Sequence, residues 1–194
     1  MNTTDFYGDA DRCFDMQDYS GAVAFLRRAM MSSEPSLESV AKYSSVAQEE
    51  RVAFIHSLTL QFPDSFECHY AYANALSRTY RREQASDFIT ALMASDQWPD
   101  LRCQIMLRSL RFECSIRLKD ANLAIEDFQS ILQLASSRKA LAGFRKILFK
   151  RIASMGHVAD STIIFELSKS EDLHDGESEF LRVKSRELEL LSQF

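Results

Sequence analysis

At 194 residues, with 46% hydrophobic and 26% charged side chains, the chain has the composition of a globular protein with a sizeable core, which excludes intrinsic disorder. The net charge of −5 is unevenly spread. Residues 1–100 carry 8 basic and 15 acidic side chains, residues 101–151 carry 11 and 4, and residues 152–194 carry 4 and 9. Only five glycines and three prolines interrupt it, as in a chain of helices, and no apolar run reaches the length of a membrane span.

Taken in order, residues 4–16 form a first helix, capped by Thr3 or Thr4, with Phe6, Ala10, Cys13 and Phe14 at helical spacing. Asp18-Tyr19-Ser20-Gly21 is a turn signal with Ser20 as N-cap. A second helix follows from Gly21 to Met31, and Pro35 ends it. Within it, Tyr19 precedes the small Ala22 by three residues, Phe25 and Leu26 follow, and Ala29 returns seven on. This pattern resembles the second helix of a tetratricopeptide repeat, and Ala10 fits that family's small packing position in the first helix. The resemblance implies stacked helix–turn–helix units in which small residues let helices approach closely.

Residues 36–63 read as a poorer unit, with Val40, Tyr43, Val46 and Ala47 on one helix and Val52, Ile55, His56 and Leu58 on another. Arg51 falls where the family has a small residue, and one long bent helix through Ala47–Glu50 is an alternative. The next unit, 65–98, lies between two Pro-Asp turns, Phe62-Pro63-Asp64 and Trp98-Pro99-Asp100. They recur after 36 residues, close to the helical-repeat period of about 34. Its helices fall at about 66–80 and 83–95, with Arg81 or Arg82 replacing the family's usual glycine in the turn.

The unit 101–135 is the closest match. One stripe of its first helix is Cys103, Leu107, Leu110, Cys114 and Leu118; another is Ile105, Phe112 and Ile116. Two apolar stripes predict packing on more than one face. Lys119–Asn122 makes the turn, and Leu123–Leu132 supplies the second helix. A further unit, 138–169, places Leu141, Phe144, Ile147, Leu148 and Ile152 on its first helix, Gly156 in the turn, and Val158–Leu167 on its second. A terminal helix, 177–192, carries an apolar stripe of Phe180, Leu181, Val183 or Leu188, and Leu191, as a cap requires. The expected fold is therefore one all-α domain over 1–194, a right-handed α-solenoid of tetratricopeptide-like units (4–34, 36–63, 65–98, 101–135, 138–169) with about nine or ten helices.

No chemistry-bearing motif emerges. The five glycines are isolated, so no phosphate loop is formed, and no metalloprotease, nucleophile-elbow or calcium-loop spacing occurs. His69 adjoins Cys68, but helical neighbours point about 100° apart and cannot share a metal. Cys13, Cys68, Cys103 and Cys114 read as free thiols. Glu49-Glu50 and Glu126-Asp127 fall on faces expected to be solvated. The expectation is a protein without catalytic activity, cofactor or metal. The opening Met1–Asp5 lacks the pattern of a secretory signal, and the expected compartment is the cytoplasm or nucleus.

The resemblance implies an extended or helical peptide held in a groove lined by first helices. Family geometry places Tyr70, Asn74 and Arg78 there from one unit, Arg117 (beside Glu113) from the next, then Lys146 and Lys150. The basic residues would receive an acidic segment or a C-terminal carboxylate. The family's chaperone-tail clamp is not matched, since Asn74 is the lone asparagine on any first helix and Asp5–Met16 holds neither Lys nor Asn. Two alternatives remain at this stage: a structural subunit of a homo- or hetero-oligomeric assembly, and a repeat protein binding RNA through the basic 101–151 block and its phenylalanines. The acidic whole-chain charge and the core-facing register of those phenylalanines argue against the second.

Overall fold

A computed structural model describes residues 5–36, 38–40, 43, 51–95, 97–156, 159–174 and 176–192. Among the described residues the regular structure is entirely helical. The helices are α1 (Phe6–Asp15), α2 (Tyr19–Ser32), α3 (Arg51–Gln61), α4 (Phe66–Arg78), α5 (Arg82–Ala94), α6 (Leu101–Leu118), α7 (Ala121–Ser137), α8 (Ala142–Ser154), α9 (Ser161–Leu167) and α10 (Glu177–Leu191). A 3₁₀ turn, Lys139–Leu141, leads into α8. They group into two compact units, Met1–Thr79 and Tyr80–Phe194.

In the first unit, α1 packs on α2 and α3 on α4. The cap of α1 is Asp5, whose carboxylate accepts from the Gly8 N–H at 3.0 Å; Thr3 and Thr4 lie outside the described residues. Helix α2 starts two residues earlier than expected because Asp18, not Ser20, caps it, accepting from the Gly21 N–H at 2.9 Å. A carboxylate accepts from the helix start more strongly than a hydroxyl, and it adds favourable charge at the dipole. Gly21 leaves room for this cap, since a Cβ would press on the Asp18 carboxylate and Cys13 Sγ and push those side chains aside. Between the hairpins, Glu38–Val40 and Tyr43 are helical. Arg27 of α2 donates to the Tyr43 hydroxyl at 2.9 Å, and its guanidinium lies over the Tyr43 and Phe54 rings. The expected bend at Ala47–Glu50 and the side chain of Arg51 fall outside the described residues.

In the second unit, α6 packs against α5 and α7, α7 against α8 and α9, and α9 against α10. Of the two predicted stripes of α6, Ile105, Phe112 and Ile116 are all inside, as are Leu107, Leu110 and Cys114 of the other, whose ends differ: Cys103 is half-buried and Leu118 is exposed at the helix end. Rings from four helices form a row through the core. Phe112 meets Phe128 at 6.0 Å, Phe128 meets Phe149 at 6.1 Å, and Phe149 meets Phe180 at 5.9 Å. Complete burial of Phe128 alone is worth about 1.5–3 kcal/mol.

Three turns share one local register. Gln17, Tyr80 and Lys119 hold left-handed backbone, with φ of 59°, 62° and 62°. Each sits in the turn between two helices, one residue before the next helix's N-cap. In the first and third turns the same bond recurs: the Asp18 N–H reaches the Cys13 carbonyl at 2.8 Å, and the Asp120 N–H reaches the Ser115 carbonyl at 2.9 Å, closing the helix end in a Schellman motif. Thus Tyr80, not Arg81 or Arg82, occupies the position expected for glycine. Counting from these residues, Ala22, Ala85 and Ala124 coincide, as do Leu26, Ile89 and Phe128, and all six are fully buried.

The last helices depart from expectation. Ile147 is exposed because α8 turns Arg145, Leu148 and Ile152 inward, in line with Leu141 of the preceding 3₁₀ turn. Helix α9 begins only at Ser161, capped by Asp160, whose carboxylate accepts from Thr162 and Ile163; Val158 lies outside the described residues. On α10 the inward stripe is Leu181, Lys184, Ser185 and Leu188, whereas Val183 and Leu191 are exposed. The polar members fit because the Ser185 hydroxyl donates to the Ser161 carbonyl at 2.8 Å and Lys184 Nζ reaches Glu187 at 3.0 Å.

Candidate protein-interaction surface

The basic block of residues 101–151 divides into engaged arginines and exposed cations. Arg111, on α6, is 4% exposed and meets Asp127 of α7, which is 0% exposed. Its Nε donates to Oδ2 at 2.8 Å and its Nη2 to Oδ1 at 2.7 Å, a two-pronged pair. Arg108 adds a third bond to Asp127 at 3.1 Å, and Arg111 Nη1 donates to the Thr90 hydroxyl of α5 at 3.0 Å. Asp127 is therefore a buried ion-pair member rather than part of a solvated face, while Glu126 beside it stays exposed. Burial works against the Arg111 charge, but hydrogen bonding and attraction from Asp127 outweigh it and hold the guanidinium charged.

Arg145 is the second engaged arginine, and it reaches into the acidic C-terminal segment. It donates to Glu177 through Nε at 2.8 Å and through Nη2, to the Asp172 carbonyl at 2.7 Å, and to the Ser136 hydroxyl at 3.3 Å. Burial pushes the Glu177 carboxyl up. The Arg145 bonds and the His174 N–H outweigh burial, so the group sits below its ordinary value. A further pair, Arg151 Nη1 to Glu113 Oε1 at 2.9 Å, joins α8 to α6.

These four arginines engage Glu113, Glu126, Asp127 and Glu177, and Asp120 caps α7. Arg102, Arg117, Lys119, Arg138, Lys139, Lys146 and Lys150 remain exposed. The positive excess of the block thus lies on the surface of the second unit.

Among the residues expected to bind, Arg117 lies one turn beyond Glu113 on the same face of α6, and Lys150 adjoins Arg151 on α8. The Glu113–Arg151 pair brings those two stretches together. Lys146, one turn before Lys150, lines a cleft between α8 and α10 with Phe149 and Phe180. In the first unit, Asn74 accepts from Arg78 Nε at 3.3 Å and Tyr70 stacks on Phe66 at 5.8 Å, so these side chains engage neighbours on their own helix. Sequence reasoning passed over Arg111, Arg145 and Arg151, whose partners lie 16, 32 and 38 residues away.

Cys13, Cys68 and Cys114 are buried and Cys103 is half-buried, all as free thiols. Burial pushes the Cys68 thiol up, and His69 Nδ1 lies 2.9 Å from the Ser65 carbonyl. Among the described residues, no three His, Cys, Asp or Glu side chains are placed to hold a metal, and no helix is long and apolar enough to cross a membrane. Compared with known protein families and with curated proteins, the chain matches none.

Proposed function

We propose that this chain is a helical-repeat adaptor of the right-handed solenoid type, without catalytic activity, that binds an acidic peptide or helix of another protein. The observation that carries the reading is the division of the basic block. Arg111 and Arg145 are buried against carboxylates, Arg108 and Arg151 are paired and half-buried, and seven cations are left outward, including Arg117, Lys146 and Lys150. Exposed cations attract oppositely charged partners and steer their approach. The shared local register of the three turns supports the repeat reading. Complete burial of Phe112 and the acidic charge of the whole chain favour a protein partner over RNA, because base stacking needs free ring faces and phosphates need a net positive surface.

The test is affinity capture with the wild-type chain and with an R117E/K146E/K150E variant whose circular dichroism matches it. The expected result is loss of the captured acidic partners from the variant. An unchanged set of partners would overturn the reading, as would a salt-sensitive gel shift with single-stranded RNA at lower concentration than any protein partner. A mass that rises with concentration in light scattering, with no captured partner, would favour an assembly subunit instead.

A further inference from the structure

The geometry points to a peptide subsite between α8 and α10 that takes a bulky apolar side chain flanked by a carboxylate; this rests on the acidic-partner reading and specifies its ligand. The cleft has a volume of about 390 Å³ and is lined by Arg145, Lys146, Phe149, Gly176, Glu177 and Phe180. That is at the lower end of ligand-sized pockets, and suits a single anchoring side chain. Phe149 and Phe180 are both half-buried, with their rings 5.9 Å apart and nearly perpendicular. They offer ring surface that an aromatic or leucyl anchor would cover. Gly176 sits at the edge of the cleft, at the start of α10. Its φ of +83° demands glycine, and no atom lies within 4 Å of where a Cβ would stand.

The polar lining decides the sign of the ligand. Glu177 is engaged on both oxygens, Oε1 by Arg145 and Oε2 by Arg145 and the His174 N–H. Arg145 in turn is spread over Glu177, Asp172 and Ser136. Those two charges cancel within the cleft wall, so neither recruits a ligand ion. Lys146 is exposed at the rim, and Lys150 continues the same face one turn on. A ligand carboxylate is therefore matched on the α8 side of the anchor, and a ligand cation is not. Anchors of this kind, seated in a pocket and ringed by matched charge, are what give short peptides their affinity.

The test is selection of displayed random short peptides on the 194-residue chain, followed by fluorescence anisotropy of a labelled member of the enriched set. Enriched peptides are expected to carry Phe, Trp or Leu within a turn of Asp or Glu. Lys146→Glu and Phe180→Ala should each weaken the labelled peptide by about tenfold, as should replacing the peptide's anchor by Ala. Lys146 is exposed, so its variant keeps the test valid if Phe180→Ala unfolds the chain. Should the enriched peptides be acidic without an apolar anchor, and respond to Lys150→Glu but not to Phe180→Ala, the subsite is overturned while the acidic-partner reading stands. If no peptide is enriched over a blank surface, both fail.

Discussion

Arg111 and Asp127, 16 residues apart on α6 and α7, form a two-pronged ion pair inside the second unit, with bonds of 2.8 and 2.7 Å and almost no contact with water. Counted from the three turns, Asp127 on α7 stands at the position held by Phe25 on α2 and Phe88 on α5. On α7 that position carries a buried polar clip. The consequence is asymmetric: losing one partner strands a buried charge, whereas losing both does not.

Asp127→Ala should therefore destabilise the second unit by about 3–5 kcal/mol in urea unfolding. An R111M/D127L double variant should recover most of that loss, since it removes both buried charges together and leaves the half-buried Arg108 within 3.7 Å of Glu126. A double variant no more stable than Asp127→Ala would mean that the pair contributes through specific geometry rather than through mutual compensation.

The Arg145–Glu177 pair governs acid sensitivity. Glu177 titrates below its ordinary value in the folded chain, so its contribution is complete above the unfolded value near 4.5 and is lost as pH falls through the lower folded value. Stability measured from neutral to acid pH should fall less steeply for Glu177→Gln than for wild type in that acid window. The variant should also be less stable at pH 7. Parallel profiles would remove Glu177 from the account.

Lys119 closes α6 in the left-handed region, where a side chain is strained by about 1 kcal/mol or more and glycine is not. Lys119→Gly should raise the thermal midpoint. A matched Lys119→Ala should not, and that pair of results separates backbone relief from loss of an exposed charge. Equal effects of the two variants would assign the change to charge.

The row of rings is a third check on the core. Phe128 is fully buried and touches Phe112 and Phe149, so Phe128→Ala should cost about 3–5 kcal/mol by leaving a cavity between α6, α7 and α8. Phe128→Leu should cost far less. A small loss for both would show that the row is not packed as described.

The helices were legible in the sequence because each declares itself locally. Ala22, Ala85 and Ala124 repeat at the same distance from their turns, and the two stripes of α6 need only a helical wheel. Starts were misplaced where two capping residues stood close together, as with Asp18 and Ser20. The ion pairs were not legible, since a charge is read by default as solvated and the partners of Arg111, Arg145 and Arg151 lie on other helices. Exposure of Lys146 and Lys150 follows from helical spacing. The cleft beside Lys146 does not, because it depends on the Arg145–Glu177 link across 32 residues that sets α10 against α8.

The central claim, that the outward cations of the second unit receive an acidic partner, is tested most directly by anisotropy titration of a labelled Glu- and Phe-containing peptide against wild type and R117E/K146E/K150E. Binding that weakens with added salt and disappears in the variant is the predicted result. Equal affinity for the two proteins, or tighter binding of a labelled Lys- and Phe-containing peptide to wild type, would contradict it.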